Sequence, residues 1–250
     1  MAAESTPGAR LLDEVAQLGF AIIGHSRGGR PIHGGRLDGR GPGGSVLVMA
    51  GIHGDEPASV GAVIDLVRER GKSGSGGSFG ALAAPLARPI DVVPALNPDG
   101  IAAGSKNSAA DVDLNRNFPA RNFTAVHEAR YCPGPVALSE PETAAFAALI
   151  ERIQPAAVVA VHAPFACINH DGPAAAWAAN VAAACGWPAR ADLGYPTPGS
   201  LGSWLGVDRG LPILTIELPP GPLEGFRAVA LAALGAAILH APTSTAGRAA

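Results

Sequence analysis

Four residues able to do metal or acid–base chemistry stand at the ends of apolar runs in this chain. His53 and Glu56 follow the run from Ser45 to Ile52, His162 closes Ala156–Val161, and Glu217 closes Leu211–Ile216. Zinc accepts imidazole nitrogen and carboxylate oxygen, and a hydrolytic site uses three protein ligands so that a further position can hold water. His53, Glu56 and His162 form such a set, with the third ligand 162 − 53 = 109 residues after the first. Glu217, placed nearby but off the metal, suits taking the proton from that water. A bare His-x-x-Glu is an ordinary polar pair; three strand ends carrying matching chemistry are more than a structural role requires. The expected cofactor is Zn2+, one per chain, chosen by ligand type.

These positions need elements to hold them. A run of small and branched apolar residues bounded by Gly reads as a strand buried on both faces. Glu56-Pro57 then opens a helical spacing through Val60, Val63, Ile64 and Val67, with the proline in the first turn, where its missing N–H costs nothing. His53 and Glu56 therefore fall between the carboxyl end of a strand and the start of a helix, where open α/β sheets bind ligands. Further strands are expected over Phe20–Ile23, Ile32–Leu37 and Pro89–Leu96, with Asn97-Pro98-Asp99-Gly100 as a turn. Helices are expected over Ala9–Leu18, from a Ser139 cap to about Ile153, over Ala174–Ala184 and over Leu223–His240. From Ile101 to Tyr131 no period is evident, and such a long irregular segment is usually functional. Within it, Asn115 and Arg116 are suited to a two-pronged grip on a carboxylate. Strands alternating with helices predict an α/β fold, one mixed and mostly parallel twisted sheet with helices on both faces.

Length and composition narrow the function. The 250 residues suit a single domain over residues 1–241, interrupted by a flexible Gly/Ser/Ala-rich loop at 71–88 and followed by a loose tail, 242–250. At 48% hydrophobic and 16% charged the chain is not disordered. A net charge of −3 with scattered cations gives no basic face, so no nucleic acid partner is expected. Neither a secretion signal nor a membrane span is read, and three cysteines with no close-spaced pair favour reduced thiols, so a cytoplasmic location is expected. Oligomeric state is left open.

Two motifs mislead. Gly24-His25-Ser26-Arg27-Gly28 fits G-x-S-x-G but runs into Gly29-Arg30-Pro31 and a second strand, whereas a nucleophile elbow leads straight into a helix. Gly71-Lys72-Ser73 lacks the earlier glycine of a phosphate loop, which would fall at Leu66. Among the other histidines, His127 and His170 lie in segments expected to approach the site.

His53-Gly54-Asp55-Glu56, Asn97-Pro98-Asp99-Gly100, Asp113-Leu114-Asn115-Arg116-Asn117-Phe118, Ser139-Glu140-Pro141-Glu142-Thr143, His162 and Glu217 occur here in that order. In that order they resemble the zinc carboxypeptidases of the carboxypeptidase A type. Ala166-Cys167-Ile168, Tyr195-x-Thr197-Pro198-Gly199-Ser200 and Gly202-Ser203-Trp204 are most similar to its murein peptide amidase branch, bacterial cytosolic enzymes that cleave between γ-D-glutamate and meso-diaminopimelate. The resemblance implies zinc on His53, Glu56 and His162, with Glu217 as general base and then acid. It implies Asn115 and Arg116 on the free terminal carboxylate of a small peptide substrate, and Asp113 orienting His53. Lys106 stands where the family usually has the arginine that polarises the scissile carbonyl, and Ala163 where the amidases have aspartate. The family's tyrosine has no counterpart between Trp204 and Glu217, which leaves Tyr195 as its substitute. Two rivals remain: a zinc N-acyl amino acid deacylase of the aspartoacylase or succinylglutamate desuccinylase kind, and a catalytically silent zinc-bearing peptide-binding protein.

Overall fold

The computed structural model describes residues 6–37, 44–71, 88–126 and 131–243. Residues 72–87 of the loop expected at 71–88, Lys72-Ser73 among them, together with His127 and most of the tail lie outside them; Gly71 instead ends a helix. The element order is α1 (Pro7–Ala16), β1 (Ala21–His25), β2 (Pro31–Leu37), β3 (Val46–Ala50), α2 (Pro57–Gly71), β4 (Ile90–Val93), α3 (Pro98–Ala103) and α4 (Pro141–Ile153). Then follow β5 (Ala157–His162), β6 (Cys167–Asp171), α5 (Ala175–Cys185), β7 (Ala189–Arg190), a π-helical segment (Gly202–Asp208), β8 (Ile213–Glu217) and α6 (Arg227–Leu239).

The strands form one sheet in the order β1-β2-β4-β3-β5-β8-β6-β7. Its centre, β4-β3-β5-β8, is parallel throughout. The flanks are antiparallel to it, β2 against β4 and β6 against β8, so the sheet is mixed as expected. The all-apolar runs of β3 and β5 are buried at every position because both faces are covered. Val46, Val48 and Ala50 pack with α2, α5 and α6 on one face. Leu47 and Met49 pack on the other with Phe118, Phe146 and Ile150, and with Trp204 and Leu205 of the π-helical segment.

Several expectations need correction. Asn97 is a helix cap: its side chain accepts the Gly100 N–H at 2.9 Å and starts α3, with Pro98 at the first helical position. Ser139 is not the cap of α4, because Pro141 begins the helix and puts Glu140 at the cap. Ser139 Oγ instead lies 3.2 Å from Glu140 Oε1 and accepts from Asn117 Nδ2 at 3.0 Å. The last helix is broken at Phe226, so a 3-10 turn (Leu223–Gly225) precedes α6. Strand β6 and the π-helical segment fall where no element was expected. Among the described residues, no helix is long and apolar enough to cross a membrane.

Candidate active site

Strands β3, β5 and β8 are neighbours in the parallel centre, so their carboxyl ends open on one edge. His162 and Glu217 are paired residues of β5 and β8. His53 and Glu56 arrive in the turn after β3. That turn is held from beneath by Asn97, whose amide donates to the carbonyls of Ile52, Lys106 and Asn107 at 3.3, 3.2 and 3.1 Å. Gly54 must be glycine, because a Cβ there would collide with the Gly100 backbone.

His53, Glu56 and His162 converge, with one donor atom from each lying within 4.8 Å of the others. The Glu56 carboxylate sits between the imidazoles, Oε1 at 2.7 Å from His53 Nδ1 and Oε2 at 3.2 Å from His162 Nδ1. Ala163 N–H donates to Glu56 Oε2 at 3.2 Å and orients it. Zinc-to-donor bonds of about 2.0–2.2 Å fit between donors spaced this way, so the chemistry and separation of the three groups suit the metal. Burial alone would depress His53, but hydrogen bonds to Asp113 and Glu56 hold it up at about 9. Burial would raise Glu56, and the two histidines outweigh it and bring it down to about 2.

Asp113, fully buried, stands behind His53 with Oδ1 at 3.2 Å from Nε2. Its other oxygen accepts from Lys106 Nζ at 2.5 Å, and its Oδ1 also accepts the Asn115 N–H at 3.0 Å. Burial would raise Asp113, but His53, Lys106 and Arg116 hold it well below the usual carboxylate range. The Lys106 ammonium, expected to face a substrate carbonyl, is thus engaged with Asp113 and lies 4.8 Å over the Tyr131 ring.

Glu217 is 4% exposed, and its Oε2 is buried without a hydrogen-bond partner. Burial raises its pKa, Glu56 adds to the rise, and His162 and the Phe165 N–H oppose it. A carboxylate kept short of partners and pushed upward is a better proton acceptor than one stabilised by donors.

Asn115 Oδ1 accepts the Leu201 N–H at 3.0 Å, which turns the NH2 donors of that amide outward. Arg116 is 4% exposed, its Nη1 donates to Asn115 O at 2.6 Å, and its Nε is buried with no partner. The guanidinium lies 4.6 Å over the Tyr131 ring. Tyr131 stacks on Tyr195 at 6.3 Å and 11°, and Phe165 lies 6.2 Å from Tyr195. All eight residues singled out in the sequence come together. Tyr131 and Phe165 were missed, since single aromatics in irregular chain carry no periodic signal. His170 lies on β6, away from the histidine pair, and Ser26 sits in the β1–β2 turn, where its Oγ accepts the Arg30 N–H at 3.0 Å.

Residues 17–171 match the sequence pattern of the zinc carboxypeptidase family, a stretch that ends before Glu217. Murein peptide amidase A of Escherichia coli (strain K12) is 39% identical over 190 residues, covering 70% of this chain and 72% of its own. The protein of that name from Vibrio campbellii (strain ATCC BAA-1116) is 34% identical over 190 residues, 70% of this chain and 69% of its own. The crystal structure of murein-tripeptide amidase from Escherichia coli O157 superposes with a TM-score of 0.68 at 35% identity, over 86% of this chain and 91% of that one. Thrombin activatable fibrinolysis inhibitor shares the fold, with a TM-score of 0.73 at 18% identity over 92% and 74% of the two chains. A sheet edge that gathers two histidines and a glutamate thus agrees with the sequence likeness: the chain belongs to the zinc carboxypeptidase family and is a hydrolase of that fold.

Proposed function

We propose that this protein is a cytoplasmic murein peptide amidase that hydrolyses the γ-D-glutamyl–meso-diaminopimelate bond. The observation that carries the reading is the pairing of His162 with Glu217, which sets a complete His–Glu–His donor group beside a buried carboxylate with an unsatisfied oxygen. His53, Glu56 and His162 would hold zinc, which supplies Lewis acidity toward a water and the scissile carbonyl. Glu217 accepts the proton as the water oxygen adds to the carbonyl carbon, then delivers it to the leaving nitrogen. Its raised pKa suits both halves of that transfer. Arg116, through its unpartnered Nε, and Asn115, through its outward amide, receive the carboxylate of the leaving residue and fix the bond over the base.

Asp113 orients His53 through the 3.2 Å contact. Lys106 is proposed for the carbonyl oxyanion, a task for which its ammonium must leave Asp113; until then its charge holds Asp113 against His53. The names of the related amidases support the choice of substrate. The test is release of diaminopimelate from L-Ala-γ-D-Glu-meso-diaminopimelate by zinc-loaded protein, beside an analogue amidated at the carboxylate next to the scissile bond. Release from the free acid alone is expected. No release from either, with zinc bound, would overturn the assignment.

A further inference from the structure

Tyr131 takes no part in the chemistry set out above, yet three groups of the site converge on its ring. Arg116 Cζ lies over the ring at 4.6 Å from the centroid and Lys106 Nζ at 4.8 Å, while Tyr195 stacks against it at 6.3 Å and 11°. Arg116 has the greater need of such a neighbour. It is 4% exposed, its Nη1 donates to the carbonyl of Asn115, next to it in the chain, and its Nε is buried with no partner. Among the described residues no carboxylate forms a salt bridge with it. A cation taken out of water gains by as much as about 30-fold from the face of an aromatic ring, and here that face belongs to Tyr131.

The ring is fixed in its turn by the residues that flank Arg116. Asp113 N–H donates to Cys132 O at 2.7 Å, and the buried Asn117 side chain donates through Nδ2 to Pro133 O at 2.7 Å and to Val136 O at 3.0 Å. Leu138 N–H donates back to Asn117 O at 2.7 Å. The chain from Tyr131 to Leu138 is thus bonded to both sides of the 3-10 turn Leu114–Arg116, and ring and guanidinium keep one relation to each other. A ring that only filled space could be exchanged for another apolar group of its shape. One that lies under two cations acts through the negative charge of its π-face, and the two roles part in experiment.

We infer that Tyr131 is a positioning residue whose π-face holds the Arg116 guanidinium in the pose that receives a ligand's carboxylate. This role rests on the proposed function for the clamp at Arg116, and not on which peptide is bound. With the ring against one side of the guanidinium, the N–H donors in its plane stay available to a carboxylate arriving edge-on. The contact exists before a ligand arrives, so it acts by pre-organisation. The apparent Kd is the intrinsic one divided by the fraction of molecules with the guanidinium in place. Loss of the contact should therefore weaken carboxylate binding by about 3- to 30-fold.

The experiment uses the full chain, loaded with zinc and carrying Glu217→Gln so that the ligand is bound and not consumed. Tyr131→Phe is compared with the same substitution bearing one, two or three ring fluorines, which drain the π-face and keep the shape of the ring, so folding is not at risk. Calorimetry reads the Kd of L-Ala-γ-D-Glu-meso-diaminopimelate. Tyr131→Phe should bind within about threefold of the parent, and added fluorines should weaken binding stepwise, by about 3- to 30-fold across the series. The slope should survive Lys106→Met, because it comes from Arg116. A flat series would show that the ring only packs, and a slope lost with Lys106→Met would move its effect to that ammonium; either overturns the role. If the tripeptide binds none of these proteins, the amidase reading falls, and the series is read with free-acid dipeptides instead. A fluorine slope there still upholds Tyr131, whereas a flat series or no binding refutes it.

Discussion

Glu217→Gln separates chemistry from structure at one position. The substitution keeps the shape of a side chain that is 4% exposed and removes a buried charge whose Oε2 has no partner. Two opposing terms act on folding. Removing the charge relieves its desolvation, and the new amide N–H2 adds donors that this buried position leaves unmet, at a cost of about 1 kcal/mol. The net change should stay within about 1 kcal/mol, or roughly 2–4 °C in melting temperature for a chain of this size. Chemistry has no such compensation. Loss of a positioned general base costs about 10²–10⁴ in rate, which is about 3–5.5 kcal/mol on the barrier. The assay is single-turnover release of diaminopimelate from the tripeptide, run beside zinc content and a thermal melt. The expected variant holds zinc, melts within a few degrees of wild type and turns over at least about 100-fold more slowly. Turnover within tenfold of wild type would refute the role of Glu217, and loss of zinc would show that this carboxylate belongs to the metal group instead.

Further outcomes follow from other parts of the site. Arg116→Ala should raise KM for the free-acid substrate by about 10- to 100-fold, the value of a charged hydrogen bond; steady-state kinetics on that substrate reads this. Chelation of zinc should abolish turnover reversibly and lower the melting temperature, since a metal at 100 times its Kd stabilises by about 2.7 kcal/mol. Burial would raise Asp99, but the Gly28 N–H and the Arg30 guanidinium keep it below the usual carboxylate value. A depressed folded pKa stabilises above the unfolded value near 3.9, and that stability disappears as pH falls through the folded pKa. Asp99→Asn should therefore lower stability by about 1–2 kcal/mol at neutral pH, and the gap to wild type should close as pH falls below about 4, read by melts at successively lower pH.

The parts of this protein legible in its sequence are those where one face or both are apolar without interruption. Strands β3 and β5 could be located, and with them the ends that carry His53 and His162, because burial on both faces leaves only small and branched apolar residues. Glu217 was found in the same way. Strand β6 was not, since it ends in three consecutive polar residues, Asn169-His170-Asp171, which break the alternation that marks a strand. The π-helical segment Gly202–Asp208 hides for a related reason: its wider turn spoils the 3.6-residue spacing, and its two glycines face Asp171 instead of marking loop ends. Asn97 looked like a turn residue because caps and turns use the same side-chain hydrogen bond to a nearby N–H. The distal half of the site, Tyr131 and Phe165 included, depends on contacts between segments far apart in the chain, and no local pattern records them.

The pairing of His162 with Glu217 places an unusual demand on folding. Alternate residues of a strand face opposite ways, so a slip of β8 by a single position along β5 would turn Glu217 toward α6 and present Ile216 or Leu218 to the histidines. Such a molecule would keep its helices, most of its buried surface and a spectroscopic signature close to native, yet lack its proposed base. Specific activity per mole of refolded protein, set against its circular dichroism, thus becomes a gauge of strand alignment in the centre of the sheet, sensitive to an error that probes of secondary structure pass over.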